Sequence, residues 1–589
     1  MCGIAGIIAL DQSPVTLAAA TAMASAIAHR GPDGFGTIGQ GPVALAHRRL
    51  SIIDIDGGAQ PMDSSTGRTT IIYNGEAYNY RELARELAPG YAFKNHSDTE
   101  VILAAYERWG AESFSRLHGM YSFALWDRRE HAVFLVRDPL GIKPLFFAVQ
   151  DRKLYFASEI KAILAVLPTK PAIRPEAVNA YFARQYIGRA TTIYDGIEVL
   201  PPGSFMRIDA KNGTVSTVPF WELKVSPAAS ETLISPVEDL ETSLRAATAS
   251  HLISDVPVGL FLSGGLDSTV LLALAARESK ERLSTFSVRF AGPRYDESPF
   301  ARQAAAHFGT DHHELDVDEN SALNELPVIM AALDQPLADY AILPTYVMSK
   351  FAAQRVKVVL GGEGADELFG GYYWRYLPHL MAEHTGGWLR PKTLRKPMVF
   401  ADGLRRELLG AAFMPLTTLA TEQSLRADLN RYSRLGGLNA ALLTDLRHWL
   451  PDDLLTKVDA MGMLASLEAR VPYLDRAVVE QVANWPAALK LSYGSTKVVL
   501  RRLAKRLLPG DLANLANRRK HGFTVPVNAW FRNQLKPRFQ ELVLAPGPAS
   551  DWLNRRAVQT LWEQHQAGRN HGLRLWSILT FAWWLEARS

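Results

Sequence analysis

Short apolar runs alternate with helical segments across the middle of the chain: 256–262, a helix from Asp267, 283–290, a helix from Ser298, 313–317, a helix from Asn320, then 356–360. Alternation of this kind predicts a parallel sheet with right-handed crossovers, in which ligands lie beyond the carboxyl ends of the strands. The first 215 residues have a different texture. β-rich runs at 3–10, 43–46, 69–73, 132–137, 145–148 and 154–157 are separated by turn clusters such as Arg30-Gly31-Pro32-Asp33-Gly34. Two helices interrupt them, at about 80–87 and 99–109, the second started by Ser97 or Asp98 with Glu100 close behind. This half is expected to be layered α+β.

Residues 222–236 carry Ser, Pro and Ala without usable periodicity, as an exposed connection does. The expected organisation is an N-terminal domain over 2–215, a linker over 216–236 and a second domain over 237–589 that becomes mainly helical from about residue 440. At 589 residues, 48% hydrophobic and 21% charged, the chain has material for more than one packed core. Its 64 basic residues nearly cancel 60 acidic ones, so neither nucleic acid nor an anionic membrane is expected as a partner. No run approaches ~18 uninterrupted apolar residues, and the first residues lack the basic region of a signal peptide. A soluble, cytoplasmic protein is the expectation.

Cys2 is the single cysteine, which excludes an intrachain disulfide and a multi-thiolate zinc site. Once Met1 is removed, a free α-amino group lies within one residue of the thiol. Its ordinary pKa of ~7.7 to 8 suits it to take the thiol proton near neutrality. The plain alternative is an inert cysteine starting the first strand. Tyr73-Asn74-Gly75-Glu76 follows an apolar run, and the Asn74 amide with the Gly75 N–H would suit a developing oxyanion; the same pair would also make a hairpin turn. Arg48-Arg49 offers guanidinium forks for a carboxylate, and Asp98 a carboxylate for an ammonium. Ordinary roles for these are a surface ion pair for Arg49 and a helix cap for Asp98.

Cys2-Gly3-Ile4, His29-Arg30-Gly31-Pro32-Asp33, Arg48-Arg49-Leu50-Ser51-Ile52, Tyr73-Asn74-Gly75-Glu76 and Ser97-Asp98-Thr99-Glu100 together resemble the signature of class II, N-terminal nucleophile, glutamine amidotransferase domains. The resemblance spans roughly residues 2–200. It implies an αββα sandwich in which Cys2 attacks the glutamine amide and Asn74 and Gly75 form the oxyanion hole. Arg49, Glu76 and Asp98 would complete the glutamine pocket.

Ser263-Gly264-Gly265-Leu266-Asp267-Ser268 follows an apolar run and opens a helix, so its backbone N–H groups and hydroxyls suit a phosphate. It is not a Walker A loop, since no Gly-x4-Gly-Lys-Ser/Thr occurs. A second loop, Gly361-Gly362-Glu363-Gly364-Ala365-Asp366-Glu367, sets three carboxylates among three glycines, a hard-oxygen set suited to magnesium phosphates. With Tyr295-Asp296-Glu297, Lys457-Val458-Asp459, the segment 466–475 and Lys497-Val498-Val499-Leu500-Arg501, these loops resemble the N-type ATP pyrophosphatase domain of the glutamine-hydrolysing asparagine synthetase family, B type. The resemblance implies an α/β parallel-sheet domain using ATP and Mg2+. Asp267 and Asp366 would hold the metal, and Ser263, Gly264, Gly265, Asp267 and Ser268 the pyrophosphate. Phe261, Leu262 and Val288 would border adenine, with Gly361, Gly362 and Glu363 completing the ATP site; Glu363 and Lys497 would act in adenylation. Glutamine, aspartate and ATP are then the substrates, and a homodimer is a frequent state of the family.

Two departures stand out. Gly361 replaces a usual serine, and Arg518-Arg519-Lys520-His521-Gly522-Phe523 has lost the proline of an Arg-Pro-Lys-x-Gly-Phe segment. His312-His313-Glu314 looks like a metal cluster, but neighbouring residues on a strand face opposite ways. Two rival readings remain: the same machinery acting on another carboxylate, of a sugar or natural product, and a catalytically silent regulatory protein that binds glutamine or nucleotide.

Overall fold

The computed structural model describes residues 1–188, 191–226, 234–290, 297–384, 399–409, 420–518 and 525–588. Tyr295, Asp296 and residues 519–523 lie outside the described residues, as does the middle of the expected linker.

The N-terminal strands are β1 (Gly3–Ala9), β2 (Gly34–Gln40), β3 (Val43–Arg49), β4 (Met62–Asp63), β5 (Thr69–Ala77), β6 (Gly119–Asp127), β7 (Ala132–Arg137), β8 (Phe146–Gln150), β9 (Lys153–Ala157), β10 (Ile197–Val199), β11 (Ser204–Asp209) and β12 (Val215–Pro219). They form two antiparallel sheets, β10-β8-β9-β1-β3-β2 and β12-β11-β7-β6-β5-β4. Period-2 alternation sorts their side chains. Ile4, Ile8, Ile72, Ala124, Trp126, Val133 and Leu135 meet between the sheets. Their strand neighbours point outward, Ile71, Tyr73, Phe123 and Val136 onto the helices α2 (Tyr80–Leu87) and α3 (Asp98–Trp109). On the other outer face Ala5, Ile7 and Tyr155 pack with α1 (Leu17–Ala26), α4 (Ile160–Leu164) and α5 (Pro175–Arg184).

Sequence periodicity missed several of these elements. The β2 segment, Gly-Phe-Gly-Thr-Ile-Gly-Gln, is a half-exposed edge strand whose glycines hide the pattern, and α1 is alanine-rich and nearly apolar all round. Pairing of β12 with β11 carries the second sheet to Pro219, past the expected end at 215.

The second half begins with α6 (Pro236–His251) and contains a parallel sheet of order β15-β14-β13-β16-β17, built from β13 (Val258–Phe261), β14 (Ser284–Phe290), β15 (Asp311–Val317), β16 (Val358–Leu360) and β17 (Glu468–Arg470). The expected alternation is present, with α7 (Leu266–Glu278) and α8 (Ser298–Phe308) as crossovers. The fifth strand, β17, lies inside the stretch expected to be mainly helical; three residues are too few to show a period. It matters most for the site, because it pairs with β16 and faces the N-terminal domain. On β15, His312 turns to Thr285 and Glu314 while His313 turns to Asp311, so the two histidines face opposite ways.

Candidate active site

Cys2 stands immediately before β1, an inner strand of its sheet. Its backbone N–H donates to Asn74 Oδ1 at 2.9 Å, tying the start of β1 to β5 in the facing sheet. Burial pushes the thiol above its ordinary range, partly offset by the chain's terminal ammonium. Such a thiol needs an adjacent base. His47 does not supply it: burial brings its pKa down to about 3, and Nε2 is spent on the Tyr73 carbonyl at 3.1 Å. With Met1 attached, the terminal amino group lies 3.0 Å from Glu468 Oε2 in β17, so the amine beside the thiol exists only after Met1 is removed.

Asn74 and Gly75 lie mid-strand, opposite Ser122 and Tyr121, which excludes the hairpin alternative. Gly75 has φ +155°, and a Cβ there would strike the Met120 carbonyl, so this position requires glycine. Ser97, not Asp98, caps α3 by accepting from Glu100 N. Asp98 is left to accept from Tyr73 Oη (2.9 Å) and Ala77 N (3.0 Å); burial raises it to about 6, against these bonds. Arg49 donates to the carbonyls of Ile53, Asp54 and Ile55 rather than to a surface carboxylate. Glu76, expected in the glutamine pocket, is paired with Arg470 of β17 at 3.0 Å.

Sequence reasoning assigned no role to Arg30, which is fully buried. Its Nε donates to the Cys2 carbonyl at 3.0 Å, while Nη1 lies 2.9 Å from Glu159 and from Asp459 of the second domain. Its signal in the sequence was its place in the His29–Asp33 signature segment, beside the Gly31-Pro32 turn.

The second site lies at the carboxyl ends of β13 and β16. Gly264 has φ +71° and packs against Glu297 and Ala301, bending the chain so that Gly265 N turns back to Ser263 Oγ at 3.2 Å before α7 begins. Phe261 ends β13 and Leu262 follows it; Leu262 N bonds Phe286 O, and Ser287 Oγ bonds Leu262 O, while Val288 lies on the adjoining strand β14. Arg518 donates to the Gly264 carbonyl at 3.0 Å and pairs with Glu297. In the other loop Gly364, at φ +85°, approaches Leu474 too closely for a Cβ. A Cβ on Gly361 would meet the Glu363 carboxylate, so the missing serine leaves room for that side chain.

Asp267 and Asp366, the expected metal ligands, converge on Lys497, which lies between them. Its Nζ is 2.6 Å from Asp267 Oδ2 and 2.7 Å from Asp366 Oδ1. Two carboxylates converging on one cation fit a magnesium ion, which takes hard oxygen donors.

The two sites are joined by short polar links. Arg470 spans Glu76 of β5 and Glu468, and its carbonyl accepts from Gly361 N at 2.8 Å, the first residue of the carboxylate loop. Asp459 lies two residues after Lys457, which pairs with Asp339.

A thiol-led αββα half and a phosphate-loop half define a two-site, ATP-dependent amidotransferase. Residues 1–221 match the family model described as a glutamine amidotransferase domain, and residues 239–586 the one described as asparagine synthase. The chain belongs to the asparagine synthase family. It is similar to asparagine synthetase [glutamine-hydrolyzing] 1 of Bacillus subtilis strain 168, at 33% identity covering 99% of this chain and 96% of that one. It is also similar to asparagine synthetase B [glutamine-hydrolyzing] of Escherichia coli K12, at 33% identity over 65% and 67%. A protein named amidase chry2, from Gibberella zeae, is 27% identical over 88% and 86%.

Proposed function

We propose that this protein converts aspartate to asparagine, taking nitrogen from glutamine and energy from ATP through a β-aspartyl-AMP intermediate, with release of AMP and pyrophosphate. The observation that supports it most is the Glu76–Arg470–Gly361 link, which puts the strand bearing the oxyanion donors and the loop bearing Glu363 on one rigid path.

In this reading the mature chain starts at Cys2. The Cys2 amine takes the thiol proton as Sγ bonds the glutamine side-chain carbon, and the proton goes to the departing nitrogen as the C–N bond breaks. Asn74 and Gly75 stabilise the oxyanion, Asp98 and Arg49 hold the amino acid, and water hydrolyses the thioester to glutamate. A carboxylate is a poor acyl donor, so the second site joins it to the α-phosphate of ATP, and the mixed anhydride then loses AMP to ammonia. Ser263, Gly264, Gly265 and Ser268 hold the pyrophosphate; Phe261, Leu262 and Val288 border the base. Gly361 and Gly362 let the backbone approach, and Glu363 acts with Lys497 in the adenylation step. Lys497 stabilises charge on the α-phosphate. Asp267 and Asp366 would hold magnesium, which neutralises phosphate charge when bound.

Cys2→Ala should lose glutamine-dependent asparagine and AMP formation while ammonia still supports both; retention of full glutamine-dependent activity would overturn the N-terminal assignment. A second reading keeps the machinery and changes the acceptor, favoured by the amidase relative sharing nearly the whole architecture. Pyrophosphate release across a panel of carboxylates, with no signal for aspartate, would establish it.

A further inference from the structure

Lys497 occupies the point on which the metal-type carboxylates converge. Its ammonium lies 2.7 and 2.6 Å from the two oxygens of Asp267 and 2.7 Å from Oδ1 of Asp366. All three side chains are largely withdrawn from solvent, with 3% of the lysine exposed and 14% and 9% of the aspartates. The carboxylates arrive from two different helices, α7 and Ala365–Phe369, each following a strand of the parallel sheet, so their meeting is set by the fold.

The lysine is held there by its surroundings. Its backbone adopts the left-handed conformation, φ +52°, directly before the helix Val498–Leu507. Gly371 packs so tightly on the pair that a Cβ would strike both Asp366 Oδ1 and Lys497 Cε. The contact is therefore built in rather than a chance surface pairing.

Separating a buried ammonium from two carboxylates is costly unless both signs find new partners. A free divalent cation would satisfy the aspartates while displacing the lysine from the two carboxylates that hold it. A cation carried on a nucleotide supplies both, because its phosphates can receive the lysine as the metal takes the carboxylates.

We propose that Lys497 keeps the metal position filled in the nucleotide-free protein and surrenders it only to a metal–nucleotide complex, so that the act of loading delivers its ammonium to the phosphates. This rests on the reading of Asp267 and Asp366 as the metal carboxylates. The exchange makes metal and nucleotide binding mutually dependent and gives Lys497 a gating role besides its role in adenylation.

Manganese binding to the full-length protein, followed by the loss of the free-ion electron paramagnetic resonance signal, tests it. Without nucleotide, Lys497→Met should bind Mn2+ at least tenfold more tightly than wild type; with ATP present, wild type should bind it well. Equal affinity of the two proteins for free Mn2+ would overturn the inference. A second measurement needs no variant: acetylation of Lys497, read by peptide mass spectrometry. Mg2+ alone should leave the rate within twofold, whereas Mg2+ with a non-hydrolysable ATP analogue should change it at least fivefold. An equal change with Mg2+ alone would also overturn the exchange. Failure of the metal reading shows separately, as undiminished Mn2+–ATP binding by Asp267→Asn and Asp366→Asn.

Discussion

Asp98 shows how burial tunes one side chain for recognition. Removal from water raises its carboxyl from 3.8 to about 6, although Tyr73 and Ala77 donate to it. The ionised form is thus disfavoured until a cation arrives, and in the proposed reading the substrate ammonium is that cation. A raised carboxyl stabilises the folded chain most below pH ~3.8, and this contribution is lost as pH rises through about 6. With Asp98 holding the ammonium as proposed, glutamine binding has the opposite dependence, because it needs the ionised form. The KM for glutamine should fall as pH rises from 5 to 7, with a midpoint near 6 in the free enzyme. Asp98→Asn should raise KM and flatten that profile, as measured by initial rates of glutamate release across pH.

At the scale of elements, the C-terminal helix Gly572–Glu586 illustrates how context reassigns an apolar stretch. Its residues are hydrophobic on every side, yet at 15 residues it spans ~22 Å, and no helix among the described residues is long and apolar enough to cross a membrane. It is buried within the protein instead, with Trp576, Ile578, Leu579, Phe581 and Trp584 packed against residues of α5 such as Phe182. One hydrogen bond fixes the contact: Tyr181 Oη of α5 donates to the Ser577 carbonyl at 2.7 Å in a fully buried setting. Tyr181→Phe removes this second donor while the carbonyl keeps its helical partner, the Phe581 N–H, and should cost about 0.5–1.5 kcal/mol. Urea denaturation of the two proteins, compared at equal m-value, measures it.

Across the whole molecule, the domains are joined by buried charge. Arg30 bridges Glu159 and Asp459, Lys143 approaches Asp459, and Lys161 pairs with both Glu159 and Asp334. Arg30 also donates to the Cys2 carbonyl, so one side chain links Asp459 to the proposed nucleophile. Asp459→Ala removes one partner of a buried pair, a change that costs about 3–5 kcal/mol in comparable settings. It should lower the Tm and raise the glutamate formed per asparagine above one, because the thiol and the carboxylate loop lose a shared anchor. Calorimetry with amino-acid analysis of the products checks both effects.

Local pattern made the candidate chemistry legible: Cys2 beside the N-terminus, the two glycine-bearing loops and the strand–helix alternation are all read by short-range rules of backbone freedom and hydrophobic period. The αββα layering came from resemblance, since β2, α1 and β17 are too irregular or too short for periodicity to reveal. Tertiary structure alone decided that Glu76 meets Arg470, that Arg30 reaches Asp459 and that Lys497 lies between two aspartates. Each of those pairings joins segments far apart in the chain. Their distance is set by sheet register and domain packing, which a one-dimensional pattern of residue types does not encode.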